Sequence, residues 1–124
     1  MKSFNQYITE SVGYLYHATY KAYKSSIKSG GLKINPKYKN WTDSKKGTIY
    51  LAINPDIALS YAETSETVSD KVYDSGIVIY KVNKKHLDLN KLKKDKNVIG
   101  SGGTVEYYLN IPSKHLKIHS EHNT

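Results

Sequence analysis

Apolar positions along the chain fall into short runs divided by polar stretches, and their spacing switches between strand-like and helix-like. Residues 13–19, GYLYHAT, alternate as a strand does. Tyr20, Tyr23 and Ile27 then recur at three- and four-residue spacing, which predicts a helix of two to three turns over residues 20–29. Gly30 and Gly31 supply a left-handed stop, and Leu32 is placed for the hydrophobic contact that commonly follows one. The polar run INPKYKNWTDSKK, residues 34–46, is a loop of a length that usually carries function.

Thr48 to Ile53 is β-branched and apolar enough for a buried strand. Asn54 offers a side-chain cap, Pro55 suits the first helical position and Asp56 complements the helix dipole, so a helix starts here and runs to about Glu63. TSETVSDKVYDSG, residues 64–76, is a second polar loop. GIVIYKVNKKHLDL is a strand with a lysine-rich end, and NKLKKDKNVIGSGG, residues 90–103, is an exposed connection. TVEYYLNIP alternates as a strand until Pro112, and SKHLKIHSEHNT gives a last short element and a ragged tail. The expected fold class is α+β, strand-dominated, with two or three short helices.

At 124 residues and with no internal repeat, the chain is one domain. No apolar run approaches the roughly 18 residues of a membrane span, so no membrane partner is expected. Cysteine is absent, which excludes disulfides and thiolate metal sites. The formal charge is +8 and all nineteen basic residues are lysine. Without arginine, every mechanism that needs a planar bidentate fork on phosphate or carboxylate is excluded. The lysine runs are either a solvated surface or a non-specific contact to DNA through counterion release. Twelve tyrosines against one phenylalanine suit half-buried strand faces.

Several chemical templates fail. GSGGT at residues 100–104 lacks the following helix and lysine-serine pair of a phosphate loop. His86, His115, His119 and His122 have no carboxylates at metal spacing, with HLKIH the nearest approach, so no metal is expected. No serine has a nucleophile-elbow context. Taken singly, His17, Tyr50, Tyr61 and Glu106 are ordinary; Glu106 is the most pointed, since it interrupts an apolar strand whose two faces both carry tyrosine.

Their order is more informative. Tyr-His-Ala-Thr at 16–19 ends a strand, a helix and Gly-Gly-Leu follow, then Gly-Thr-Ile-Tyr-Leu-Ala at 47–52, a helix with Ser-Tyr-Ala at 60–62, and a late strand with Glu-Tyr-Tyr at 106–108. Over residues 13 to 118 this arrangement resembles the ADP-ribosyltransferases of the diphtheria-toxin and poly(ADP-ribose) polymerase type, named for a His-Tyr-Glu triad. The resemblance implies an ADP-ribosyltransferase-like fold of small split, mixed or antiparallel sheets, with NAD⁺ as substrate. It implies catalytic roles for Glu106, His17 and Tyr50, and NAD⁺ contacts for His17, Ala18, Thr19, Tyr50 and Tyr61. His17 would hold the adenosine ribose, and the backbone of Ala18, where the family usually has glycine, would read the nicotinamide carboxamide, with Thr19 at the hydroxyl position beside it. Tyr50 and Tyr61 would flank the cationic nicotinamide ring. Glu106 would bind the 2′-hydroxyl of the nicotinamide ribose and stabilise the oxocarbenium-like transition state. Thr104 stands where arginine-modifying members carry a second acidic or amide residue, which argues against arginine as acceptor.

The first ten residues, MKSFNQYITE, place Phe4, Tyr7 and Ile8 at helical spacing. They resemble the short peptide that directs internal proteins of T-even-like tailed phages into the prohead and is cut after a glutamate. Ile8-Thr9-Glu10 before Ser11 matches that cleavage pattern, which implies a cleavable peptide at 1–10 and a single domain at 11–124. The implied partners are the phage prohead and its protease, and the implied location is the capsid interior, then the host cytoplasm after injection with the DNA. The expected function is transfer of ADP-ribose from NAD⁺ to an unidentified host protein or nucleic acid by a monomer. Its alternatives are an inactive protein of the same fold that inhibits a host defence factor, and a basic DNA-associated internal protein. The loop at 33–46 is expected to be the target-recognition surface.

Overall fold

The computed structural model describes residues 13–34, 48–63, 69–94 and 104–124. The head-targeting peptide with its Glu10–Ser11 cleavage site, nearly all of the 33–46 loop, and GSGGT except Thr104 lie outside them.

Among the described residues six strands form the framework: β1 (Tyr14–Tyr20), β2 (Ile49–Ala52), β3 (Ile77–Asn83), β4 (Leu92–Lys94), β5 (Thr104–Tyr107) and β6 (Leu116–His122). They make one sheet in the order β4-β5-β2-β1-β3-β6, and every described pairing is antiparallel. The expected α+β class is therefore observed, whereas no parallel ladder exists among the described strands. The reason is topological. β1, β5 and β6 run one way and β2, β3 and β4 the other, and the order of the sheet alternates the two sets, so no two strands of like direction are neighbours.

The sheet has a seam. β1 pairs with β3 along its whole length, from Tyr14↔Asn83 to Tyr20↔Ile77, and β2 pairs with β5 from Ile49↔Tyr107 to Ala52↔Thr104. Between β1 and β2 the register holds at Tyr16↔Ala52 alone. Two three-stranded halves, β4-β5-β2 and β1-β3-β6, thus join at one register pair, and where split sheets were expected the described strands form one continuous sheet.

Alternation puts one apolar cluster on each face. Leu15, Leu51, Val78, Tyr80, Val82 and Val105 belong to one, with Ile27 of the helix α1 (Lys24–Gly30) packed on them. Ala18, Tyr20, Ala52, Ile77 and Ile79 belong to the other, under Ala58 and Ala62 of α2 (Pro55–Glu63). Four alanines at that contact let the helix lie close to the strands. Tyr20 adds a buried hydrogen bond, its hydroxyl donating to the Ala62 carbonyl at 2.6 Å.

The helix boundaries follow the expected chemistry. A 3₁₀ turn at Lys21–Tyr23 leads into α1, and Gly31, at φ +74°, ends it with its N–H on the Ile27 carbonyl at 2.7 Å. Leu32 is 3% exposed and pairs with Ile111 through both backbone bonds. At the start of α2 the Asn54 side chain accepts from the Ile57 N–H at 2.8 Å.

Three stretches depart from expectation. The polar run 64–76 contains a short helix, α3 (Asp70–Asp74), capped by Ser69 and pinned by Tyr73 against Tyr20, with ring centroids 6.2 Å apart. The connection at 90–103 contains β4, and Leu92 in it is buried. The tail is β6, a full edge strand paired with β3.

Candidate functional site

Tyr50 is the meeting point of the candidate residues. Tyr50 lies in β2 directly opposite Glu106 in β5, so the two side chains leave the same face of the sheet as neighbours. That is the face covered by α2, and α2 carries Tyr61. The Asn54–Pro55 turn reverses the chain so that the Tyr50 and Tyr61 rings face each other, centroids 5.9 Å apart and planes inclined by 26°. This is an offset-stacked pair. A third ring between them would need two carbon–carbon contacts of about 3.5–4 Å each, roughly 7 Å or more in total. The rings must therefore part to admit one.

Alternation starts His17 on the opposite face, with Leu15 and Thr19. Its ring instead enters the seam, where Nδ1 lies 2.8 Å from the Tyr50 carbonyl. A carbonyl can only accept, so Nδ1 carries the proton. Burial lowers the pKa of the imidazole below the ordinary value of 6.5, and the bond to Tyr50 opposes that shift more weakly. A neutral ring donating from Nδ1 leaves Nε2 as an acceptor. The side chain also supplies a cross-strand bond at a point where β1 and β2 have no matched backbone pair.

Glu106 is 3% exposed. The Tyr108 hydroxyl donates to its Oε1, and Tyr108 follows it by two residues along the same side of the chain. On the other flank of β5, Lys93 of β4 is the register partner of Glu106, and its Nζ stands 5.4 Å from the Tyr108 ring centroid. The carboxylate is thus bracketed by Tyr50, Tyr108 and Lys93.

The remaining candidates are placed differently. Ala18 is 8% exposed and belongs to the cluster beneath α2, while Thr19 is fully buried in β1 opposite Val78. In this conformation Thr19 offers a ligand no surface. Tyr107, next to Glu106, points to the other face, where its hydroxyl accepts from the Asp88 N–H at 2.9 Å. The histidines disperse: His115 stacks on His86 at 4.0 Å, and His119 packs edge-on against Tyr16 at 5.4 Å. Among the described residues no three metal-ligating groups converge, and no helix is long and apolar enough to cross a membrane.

Sequence reasoning missed Tyr108 as a partner of Glu106, and Lys93 altogether. The spacing Glu-x-Tyr in a strand was the available signal for the first, since i and i+2 share a face. Lys93 had none, because its position depends on the pairing of two strands separated by residues 95–103. The chain matches no protein-family model and no curated protein sequence.

Proposed function

We propose that the chain is a small NAD⁺-dependent ADP-ribosyltransferase of the His-Tyr-Glu type, carried in a phage head and injected to modify a host target. The observation that supports this most is a convergence: Tyr50, Glu106 and Tyr61, named from their order in the sequence, meet on one face of the sheet, and His17 is bonded to Tyr50.

In this reading the cationic nicotinamide ring enters between Tyr50 and Tyr61, whose electron-rich faces attract it. His17, neutral and donating from Nδ1 to the Tyr50 carbonyl, accepts at Nε2 from a hydroxyl of the adenosine ribose. Glu106 accepts from the 2′-hydroxyl of the other ribose, held in place by Tyr108. The bond between ribose and nicotinamide breaks with its electron pair leaving on nicotinamide, which departs neutral. Positive charge then spreads over the ribose carbon and ring oxygen, where the fixed carboxylate stabilises it. The acceptor supplies an electron pair to that carbon and releases its proton.

Incubating the protein with labelled NAD⁺ and host lysate tests this. Nicotinamide release and a labelled product, both lost in Glu106→Gln, are expected; no release by the folded wild-type chain refutes the enzyme. The packaging half of the proposal rests on Glu10 and Ser11, and mass spectrometry of virions should find a chain beginning at Ser11.

The closed Tyr50–Tyr61 pair favours a second reading, an inactive binding protein that acts on a host defence factor, because the two rings already satisfy each other. Stable capture of a host protein without NAD⁺ turnover would distinguish it.

A further inference from the structure

A groove of about 660 Å³ runs between α1 and β6, away from Tyr50 and Glu106 and on the other face of the sheet. Its floor is apolar, with Ile27, Tyr80 and Leu116, and Ile118 stands 47% exposed at its rim. Lys24, Lys28, Lys114 and Lys117 surround that floor, and no acidic residue lines it among the described residues. Lys24 is engaged with Glu121 at 3.0 Å. Lys28, Lys114 and Lys117 carry the groove's positive potential.

β6 is the last strand of the sheet, and among the described residues nothing pairs with its outer side. An edge strand presents backbone N–H and C=O groups that can accept another strand. Lysines on such an edge repel a second copy of the same edge and attract an acidic one. A single-stranded nucleic acid would need exposed aromatic platforms for its bases. The groove's aromatic residue, Tyr80, is only 6% exposed.

We infer that this groove binds an extended acidic segment of a partner protein, which adds to the β6 edge, sets apolar side chains against Ile118 and Leu116, and places carboxylates on Lys28, Lys114 and Lys117. Successive side chains of an added strand point to opposite faces, so its groove-facing residues are apolar beside Leu116 and Ile118 and acidic beside Lys28 and Lys114, while acidic residues between them turn to the other face toward Lys117. This binding is independent of NAD⁺ and of the Tyr50–Glu106 site.

Fluorescence anisotropy with a labelled peptide of about ten residues, with valine at two adjacent groove-facing positions in its centre and glutamate at the other positions, tests the inference. The full-length protein is expected to bind it, and Lys28→Glu/Lys114→Glu/Lys117→Glu, whose substitutions are all on exposed side chains, to bind at least about tenfold more weakly while keeping its circular dichroism spectrum. A control peptide of the same length with proline at every third position, unable to complete a ladder, is expected to bind about tenfold more weakly as well. Binding unchanged by charge reversal, or equal for the proline peptide, overturns the inference. So does stronger binding of an oligothymidylate of matching charge, which would make the groove a general polyanion surface.

Discussion

The Nδ1–H of His17 donates to the Tyr50 carbonyl at 2.8 Å across the seam between β1 and β2, so one side chain does there what a backbone pair does elsewhere in the sheet. Because burial favours the neutral ring, the unfolded chain takes up this proton more readily than the folded one. The sign follows. The stabilisation is fully present above pH 6.5 and is lost as pH falls below 6.5 toward the lower folded value. His17→Asn, whose amide can donate from a similar position, is expected to remove this acid-side loss. Urea melts at several pH values between 5 and 8 would show it, and an unchanged profile in the variant would assign the loss to another group.

His17→Phe removes the donor and leaves the Tyr50 carbonyl without that bond. The expected cost is about 1–3 kcal/mol at neutral pH, read from the shift in urea midpoint.

Among the described glycines, Gly31 is the least open to substitution. At φ +74°, a Cβ there would meet the Ile111 carbonyl oxygen at 2.2 Å. Gly31→Ala therefore both strains the backbone and pushes apart the Leu32–Ile111 bridge, for a loss of about 2 kcal/mol or more. Gly30, inside the helix and near only the flexible end of Lys33, should tolerate alanine within about 0.5 kcal/mol of wild type or gain from it.

Asn54 links stability to the site. Its side chain caps α2, and α2 holds Tyr61 over Tyr50. Asn54→Ala should cost about 1 kcal/mol. If NAD⁺ is the substrate, the same change should raise KM more than it lowers kcat, because it loosens one wall of the binding cleft.

Tyr108→Phe tests how Glu106 is held. The substitution deletes the hydroxyl that donates to the carboxylate and keeps the ring under Lys93. If NAD⁺ is the substrate, nicotinamide release is expected to fall about tenfold through kcat, with KM within about twofold of wild type, the pattern of an interaction realised in the transition state. Equal activity would show that Tyr50 and Lys93 suffice to place the carboxylate.

Much of the framework was legible because local chemistry and long-range packing agree. Asn54-Pro55-Asp56 announces a helix start by capping, by a proline at an early position and by charge, and the helix begins there. Gly31 ends α1 as its permissiveness suggests. What was not legible is short or polar. α3 has too few residues to show a period, and its signal was a cap, Ser69, with Tyr73 placed to meet Tyr20. β4 offers one buried leucine between lysines, and β6 reads as a tail because an edge strand needs one apolar partner face and can leave the rest wet. The site shows the same division. His17, Tyr50, Tyr61 and Glu106 stand out by order, whereas Lys93 becomes visible only once β4 has been set beside β5.

The junction at Tyr16↔Ala52 bears on motion as well as on shape. With one matched pair between them, the two halves of the sheet can spread without breaking a ladder, whereas separating β1 from β3 would rupture seven residues' worth of pairing from Tyr14 to Tyr20. Spreading there is resisted by the two apolar clusters, which both cross the junction, rather than by a run of backbone bonds.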